Sequence, residues 1–159
     1  MNIRPMIRKD KPSIMRILQN TREFLPPEVV VADEVIDSYL FNPEESGYFV
    51  LVAEEDSRIL GYVCYGPAPM TESTWDMYWL AVDHNIQGKG IGRSLMAAAE
   101  DKIRRAGGRL IVLETSSKPE YERTNRFYLA QGYTLDCQIT DYYAIGDNKN
   151  IYEKRFKPA

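Results

Sequence analysis

A chain of 159 residues, 44% hydrophobic and 27% charged, is long enough for one domain with a real core and too short for two comfortable ones. Its net charge of -3 and pI near 5.3 argue against a broad nucleic-acid footprint and suit a small-molecule or cationic partner better. No window approaches the ~18 apolar residues of a membrane span, and MNIRPMIRKDKPSIMRIL is charged too early for a signal peptide, so a cytoplasmic protein without a membrane partner is expected.

NIRPMI reads as an edge strand, because Pro5 removes a ladder donor. Asp10 is placed to cap a first helix over residues 11–20, with Pro12 in its first turn, and residues 28–41 read as a second helix. YFVLVAEE and RILGYVCYG are β-rich runs joined by the turn-like Asp56-Ser57, and TWDMYWLAV at 74–82 adds another strand. A helical pattern covers 91–106, and LIVLET at 110–115 has the continuous apolar character of a buried central strand. Pro119 opens a helix that runs to about Ala130 and is stopped by Gly132. Strands over 133–142 and 149–157 flank the turn-formers Gly146-Asp147-Asn148. The order β-α-α-β-β-β-α-β-α-β-β predicts a mixed sheet with helices on its faces. Cys64 and Cys137 lack CxxC spacing and there is one His, so reduced thiols and no metal are expected.

The segment QGKGIGRSLMAAAEDKIRRAGG carries the chemistry. Helical spacing buries Ile91, Leu95, Ala98, Ala99 and Ile103, which puts Gly90 and Gly92 at the helix start. Backbone N-H groups there lack intrahelical partners, the helix dipole is positive, and glycines let a phosphate approach the main chain. Lys89 and Arg93 add charge. The spacing is neither GxxxxGK[ST] nor GxGxxG, so neither familiar nucleotide loop fits, and glycines alone suit a plain tight turn as well as an anion cradle.

Q-x-x-G-x-G, met by Gln87, Gly90 and Gly92, resembles the signature of the GNAT (GCN5-related) N-acetyltransferases. LAVDHNIQGKGIGRSL, LIVLET and NRFYLAQGY resemble that family's loop, following strand and helix-to-strand segment in the family's order, across nearly the whole chain. The resemblance leans toward the ribosomal-protein N-terminal acetyltransferase branch. It implies one N-acetyltransferase domain over 1–159 with an α/β (α+β) acyl-CoA N-acyltransferase fold. Such a fold has a mostly antiparallel twisted sheet, a splayed parallel strand pair and helices on both faces. It also implies acetyl-CoA as acyl donor, its diphosphate held by Gln87, Gly88, Lys89, Gly90, Ile91, Gly92 and Arg93. The pantetheine arm is expected along Leu80, Ala81 and Val82, with the Leu80 and Ala81 amides near the thioester carbonyl. Where the family often places Asn, this chain has Tyr121, so Thr124 or Asn125 is expected to make that contact.

Amine attack on a thioester needs a base for the amine and a proton donor for the departing thiolate. The resemblance implies Tyr128 as donor, and Glu114 ahead of Asp76 as base, with a water relay through neither left open. His84 is read as a solvated turn residue. DYYAIGDNKNIYEKRF resembles the C-terminal hairpin of protein N-terminal acetyltransferases, so Tyr142 and Tyr143 are expected to contact the acceptor, and Tyr78 is a further candidate because it lies beside the proposed cleft. The expected partner is the primary amine of a small molecule or of a peptide or protein N-terminus, not a nucleic acid, and a homodimer stays open. The alternative is a non-catalytic acyl-CoA sensor or interaction module of the same fold.

Overall fold

The computed structural model describes residues 1–157. Seven strands are formed: β1 (Asn2–Pro5), β2 (Phe49–Glu55), β3 (Arg58–Pro67), β4 (Thr74–Val82), β5 (Leu110–Ser116), β6 (Thr134–Ala144) and β7 (Asp147–Arg155). Four α-helices accompany them: α1 (Lys11–Gln19), α2 (Pro26–Phe41), α3 (Ile91–Arg105) and α4 (Glu122–Ala130). The strands make one sheet in the order β1-β2-β3-β4-β5-β7-β6. Only the β4–β5 pair is parallel.

The sheet is buried on both faces at its centre, which explains the near-continuous apolar runs of β2 and β3. Leu51, Ala53, Val63, Met77, Leu95, Ala99, Ile103 and Ile111 form the core beneath α3, which Tyr128 of α4 joins. Val50, Val52 and Tyr62 point the other way, onto Ile14, Leu18, Ala32 and Ile36 of α1 and α2. Strand alternation thus sorts neighbours on one strand into two cores. No helix among the described residues is long and apolar enough to cross a membrane. Cys64 is buried in β3 and Cys137 is exposed on β6, both as free thiols.

The hairpin at Asp56-Ser57 forms as expected: both residues have positive φ (49° and 62°), the twist a two-residue connection requires. Pro5 lies on the outer strand. Asp10 departs from its expected role. It stands just before α1 but makes no side-chain cap, because its carboxylate accepts from Arg4 (2.8 and 3.0 Å) and from the Ile7 N–H (2.9 Å). α2 begins at Pro26 rather than 28, its first turn taking both prolines while Glu28 accepts from the Leu25 N–H at 2.6 Å. A 3₁₀ turn over Pro119–Tyr121 precedes α4. The last hairpin closes at Ile145-Gly146, with Ala144 opposite Asp147, so of the expected turn-formers Gly146 lies in the turn while Asp147 and Asn148 already belong to β7. Asp141 draws the turn in by accepting from the Gly146 N–H at 2.8 Å.

Candidate active site

β4 and β5 pair only from Thr74–Leu110 to Met77–Leu113. Beyond that rung β5 stays on β7 up to Ser116 opposite Lys149, while β4 stays on β3 up to Val82 opposite Gly61. The strands therefore separate, and among the described residues the edge of β4 that faces β5 has no strand partner from Tyr78 onward. A bulge sits at the point of separation: Cys64 pairs with Trp79 and Tyr65 with Met77, so Tyr78 is the extra residue. The bulge re-aims the strand, since Met77 joins the core under α3 whereas Trp79 packs on the opposite side. A cavity of about 930 Å³ follows, reaching from this gap to the start of α3, to Phe127 and Tyr128 of α4, and to the segment between α1 and α2.

At the start of α3, Gly88 and Gly90 hold φ of 84° and 79°, a left-handed backbone that costs other residues energy, and no side chain caps the helix. A Cβ built at either glycine meets nothing within 4 Å, so the main chain is open to an approaching group. Gly92 lies differently, with a built Cβ 3.5 Å from the Phe127 ring, and so seats the loop against α4. Free amides, a positive helix end and Arg93 in the same wall fit a diphosphate. Gln87 braces this loop: its Nε2 donates to the Val82 carbonyl at 3.3 Å and its Oε1 accepts from Arg123 at 3.1 Å.

Leu80, Ala81, Val82, Gln87, Gly88, Gly90, Ile91, Gly92, Arg93 and Thr124 all line the cavity, whereas Lys89 and Asn125 do not. The Asn125 amide is spent inside the protein. Its Oδ1 accepts from Thr115 Oγ1, from Tyr152 at 2.9 Å and from Asn150 at 3.4 Å, and its Nδ2 donates to the Ser116 carbonyl at 3.1 Å. This clamp ties α4 to β5 and β7. His84 lies half-exposed in the turn after β4.

Tyr128 is 8% exposed and packs edge-on against Phe127 and Tyr133. Its hydroxyl makes no hydrogen bond among the described residues, and burial pushes its pKa well above the ordinary phenol value. The phenol therefore keeps its proton across the physiological range.

Asp76 and Glu114 come from the two separating strands and both line the cavity. Burial raises the Asp76 carboxyl above the usual carboxylate value; the Tyr78 hydroxyl at 3.4 Å opposes that rise and the Glu114 charge adds to it. Glu114 is paired with Lys149, Oε2 to Nζ, at 3.0 Å. The Lys149 ammonium also lies 4.2 Å from the Tyr142 ring centroid, and Tyr142 and Tyr143 meet edge to face. Tyr143 and Tyr78 line the cavity, whereas Tyr142, packed on Tyr143 and Lys149, does not.

Sequence reasoning missed Phe127, Arg123, Glu23 and Glu28 as parts of the wall. Phe127 and Arg123 were accessible in principle, being four residues apart on the same helix side. Glu23 and Glu28 reach the cavity only through the packing of α1 and α2, which no local pattern announces.

The sequence pattern of the acetyltransferase (GNAT) family matches residues 12–133. The chain is similar to an L-methionine sulfoximine/L-methionine sulfone acetyltransferase of Salmonella typhimurium, 30% identical over 99 residues that cover 58% of this chain and 54% of that one. It spans about half the length of the curated relatives it matches. Its structure is similar to that of a Desulfovibrio desulfuricans protein assigned to the GNAT family, with a TM-score of 0.93 and 37% identity over 97% of this chain and 98% of that one. An aminoglycoside 6'-N-acetyltransferase complexed with coenzyme A shares the fold, with a TM-score of 0.79 and 18% identity over 100% and 99% of the two chains. The parted strands, the open glycine loop and these matches agree: the chain belongs to the acetyltransferase (GNAT) family.

Proposed function

We propose that the chain acts as a single N-acetyltransferase domain, moving an acetyl group from acetyl-CoA to a primary amine by direct attack through a tetrahedral intermediate. The observation that carries this reading is the gap between β4 and β5 beyond Met77 and Leu113, which shares one cavity with an uncapped helix start and a buried phenol. In this reading the amides of Gly88 to Arg93 hold the diphosphate, and the free edge of Leu80, Ala81 and Val82 pairs with the pantetheine arm as another strand would. Thr124 lies in the same wall. The Leu80 and Ala81 amides are the donors for the oxyanion that develops as the amine attacks.

Two protons must move. As the C–N bond forms, a carboxylate takes a proton from the amine; as the C–S bond breaks, the Tyr128 hydroxyl donates to the departing sulfur. Asp76 is the favoured base, because Glu114 already carries the Lys149 ammonium on one oxygen. Glu114 is the second candidate, and a water relay through neither is the third route. Tyr78 and Tyr143 offer apolar walls with polar tips to the acceptor, and Tyr142 packs edge to face on Tyr143. The acceptor is an amine on a small molecule or at a peptide terminus.

The test is release of free thiol from acetyl-CoA across a panel of amines and peptides, with acetylated product identified by mass. Acceptor-dependent release is expected. Tight coenzyme binding without such release across the panel would make the chain an acyl-CoA sensor instead.

A further inference from the structure

One side of the parted strands carries more apolar and aromatic surface than acetyl transfer alone requires. Trp75, Met77, Ile111 and Leu113 enter the core under α3, so strand alternation turns Asp76, Val112 and Glu114 toward the side covered by α1 and α2. Past the bulge, Trp79 and Ala81 face that same side. All five line the cavity.

The segment between α1 and α2 adds to this wall. Phe24 meets Trp79 edge to face, with ring centroids 5.4 Å apart and planes at 87°. Its backbone is held in place: the Thr21 hydroxyl donates to the Ile17 carbonyl at 2.7 Å, and the Phe24 N–H donates to the Thr21 carbonyl at 3.1 Å. Leu25, next in the chain, lines the cavity while 53% exposed. Phe24 and Trp79 are only partly buried and line it too. Apolar surface left wet inside a cleft is surface that an apolar ligand gains by covering.

In the acetyl-transfer reading the thioester carbonyl lies at the Leu80 and Ala81 amides, so Trp79 is the immediate neighbour of the reacting centre. Asp76, the favoured base, lies three residues back on a bulged strand, roughly 7 to 10 Å away. An amine attacking between them brings its substituent against Trp79, Phe24 and Leu25. A carboxylate on the amine-bearing carbon would stand near Asp76, whose side chain has the Tyr78 hydroxyl as partner and no cation among the described residues. We infer that the acceptor is an arylalkylamine, a primary amine on a short chain ending in an aromatic ring, with the ring seated on Trp79, Phe24 and Leu25 and no carboxylate beside the amine. A ring added to an edge-to-face pair gains more than its area alone supplies. The inference rests on the acetyl-transfer reading and narrows it.

The experiment compares kcat/KM for 2-phenylethylamine, butylamine, L-phenylalanine and a short peptide with a free N-terminus, each with acetyl-CoA at saturation. Phenylethylamine is expected to exceed butylamine by about tenfold, as burial of one ring supplies. That ratio should fall toward one in Trp79→Leu and should also fall in Leu25→Ala. Leu25 is more than half exposed, so its truncation spares the core, and unchanged coenzyme affinity by calorimetry would show that the variant is folded. Should Trp79→Leu fail to fold, Leu25→Ala decides alone. Equal or better turnover of butylamine, L-phenylalanine or the peptide overturns the arylalkylamine inference and leaves acetyl transfer standing. So does a phenylethylamine preference that no folded variant reduces. Coenzyme binding with no thiol release for any acceptor overturns both readings together.

Discussion

The ammonium of Lys149 lies 3.0 Å from a carboxylate oxygen of Glu114, joining the end of β5 to its neighbour β7 at the mouth of the cleft. Glu114 therefore enters the site as half of an ion pair. Asp76, across the gap, is harder to ionise than an ordinary carboxyl, since burial and the Glu114 charge both raise its pKa. A base in this condition is protonated over a wider acidic range, and activity falls as pH drops through its pKa.

Lys149→Met is expected to shift the acidic limb of the kcat/KM profile to higher pH. Removing the cation leaves the Glu114 charge unopposed, which makes protonation of Asp76 easier. Asp76→Asn should lower kcat by about 10²-fold and Glu114→Gln by less, as general-base losses run. A pH–rate profile unmoved by Lys149→Met would mean that neither carboxylate takes the amine proton.

Tyr128→Phe should lower kcat by about 10²-fold with coenzyme affinity retained. The hydroxyl has no partner among the described residues to strand, so thermal stability should hardly change. Because burial keeps the phenol protonated, wild-type activity should show no loss attributable to Tyr128 at mildly alkaline pH. Steady-state rates, calorimetry and a melting curve on the same preparation check all three.

Gly90→Glu should weaken coenzyme A binding by at least about tenfold, measured by calorimetry and relieved in part by salt. A side chain there points into open space beside the helix start and would bring negative charge to the diphosphate. Gly90→Ala separates the causes. It carries only the left-handed strain of about 1 to 2 kcal/mol.

Asn125→Ala should cost about 2 kcal/mol of stability, read from a urea midpoint, because Tyr152, Thr115 and Asn150 lose their common acceptor. Coenzyme affinity should move little by comparison. The reverse pattern would assign Asn125 to the cofactor.

These residues also show what the sequence could reveal. Burial period and turn chemistry made the strands, the Asp56-Ser57 hairpin and the glycine loop readable, because each is set by residues within a few positions of one another. Long-range partners were not readable. Arg4 claims Asp10 from β1, so the expected helix cap is lost. Asn125 was expected to reach the coenzyme, but Thr115 and Tyr152, on two other elements, decide where its amide is spent. Glu114 was found as a candidate base, yet Lys149, 35 positions along the chain, decides how free it is. Tyr78 was chosen as a tyrosine near a cleft; the bulge that puts it there depends on the pairing of β4 with β3.

The most direct test of the account is a crystal structure with acetyl-CoA bound. The account predicts the diphosphate against the amides of Gly88 to Arg93, the pantetheine arm along Leu80 to Val82, and the sulfur within hydrogen-bonding reach of the Tyr128 hydroxyl. A coenzyme seated outside the gap between β4 and β5, or a sulfur remote from Tyr128, would contradict it.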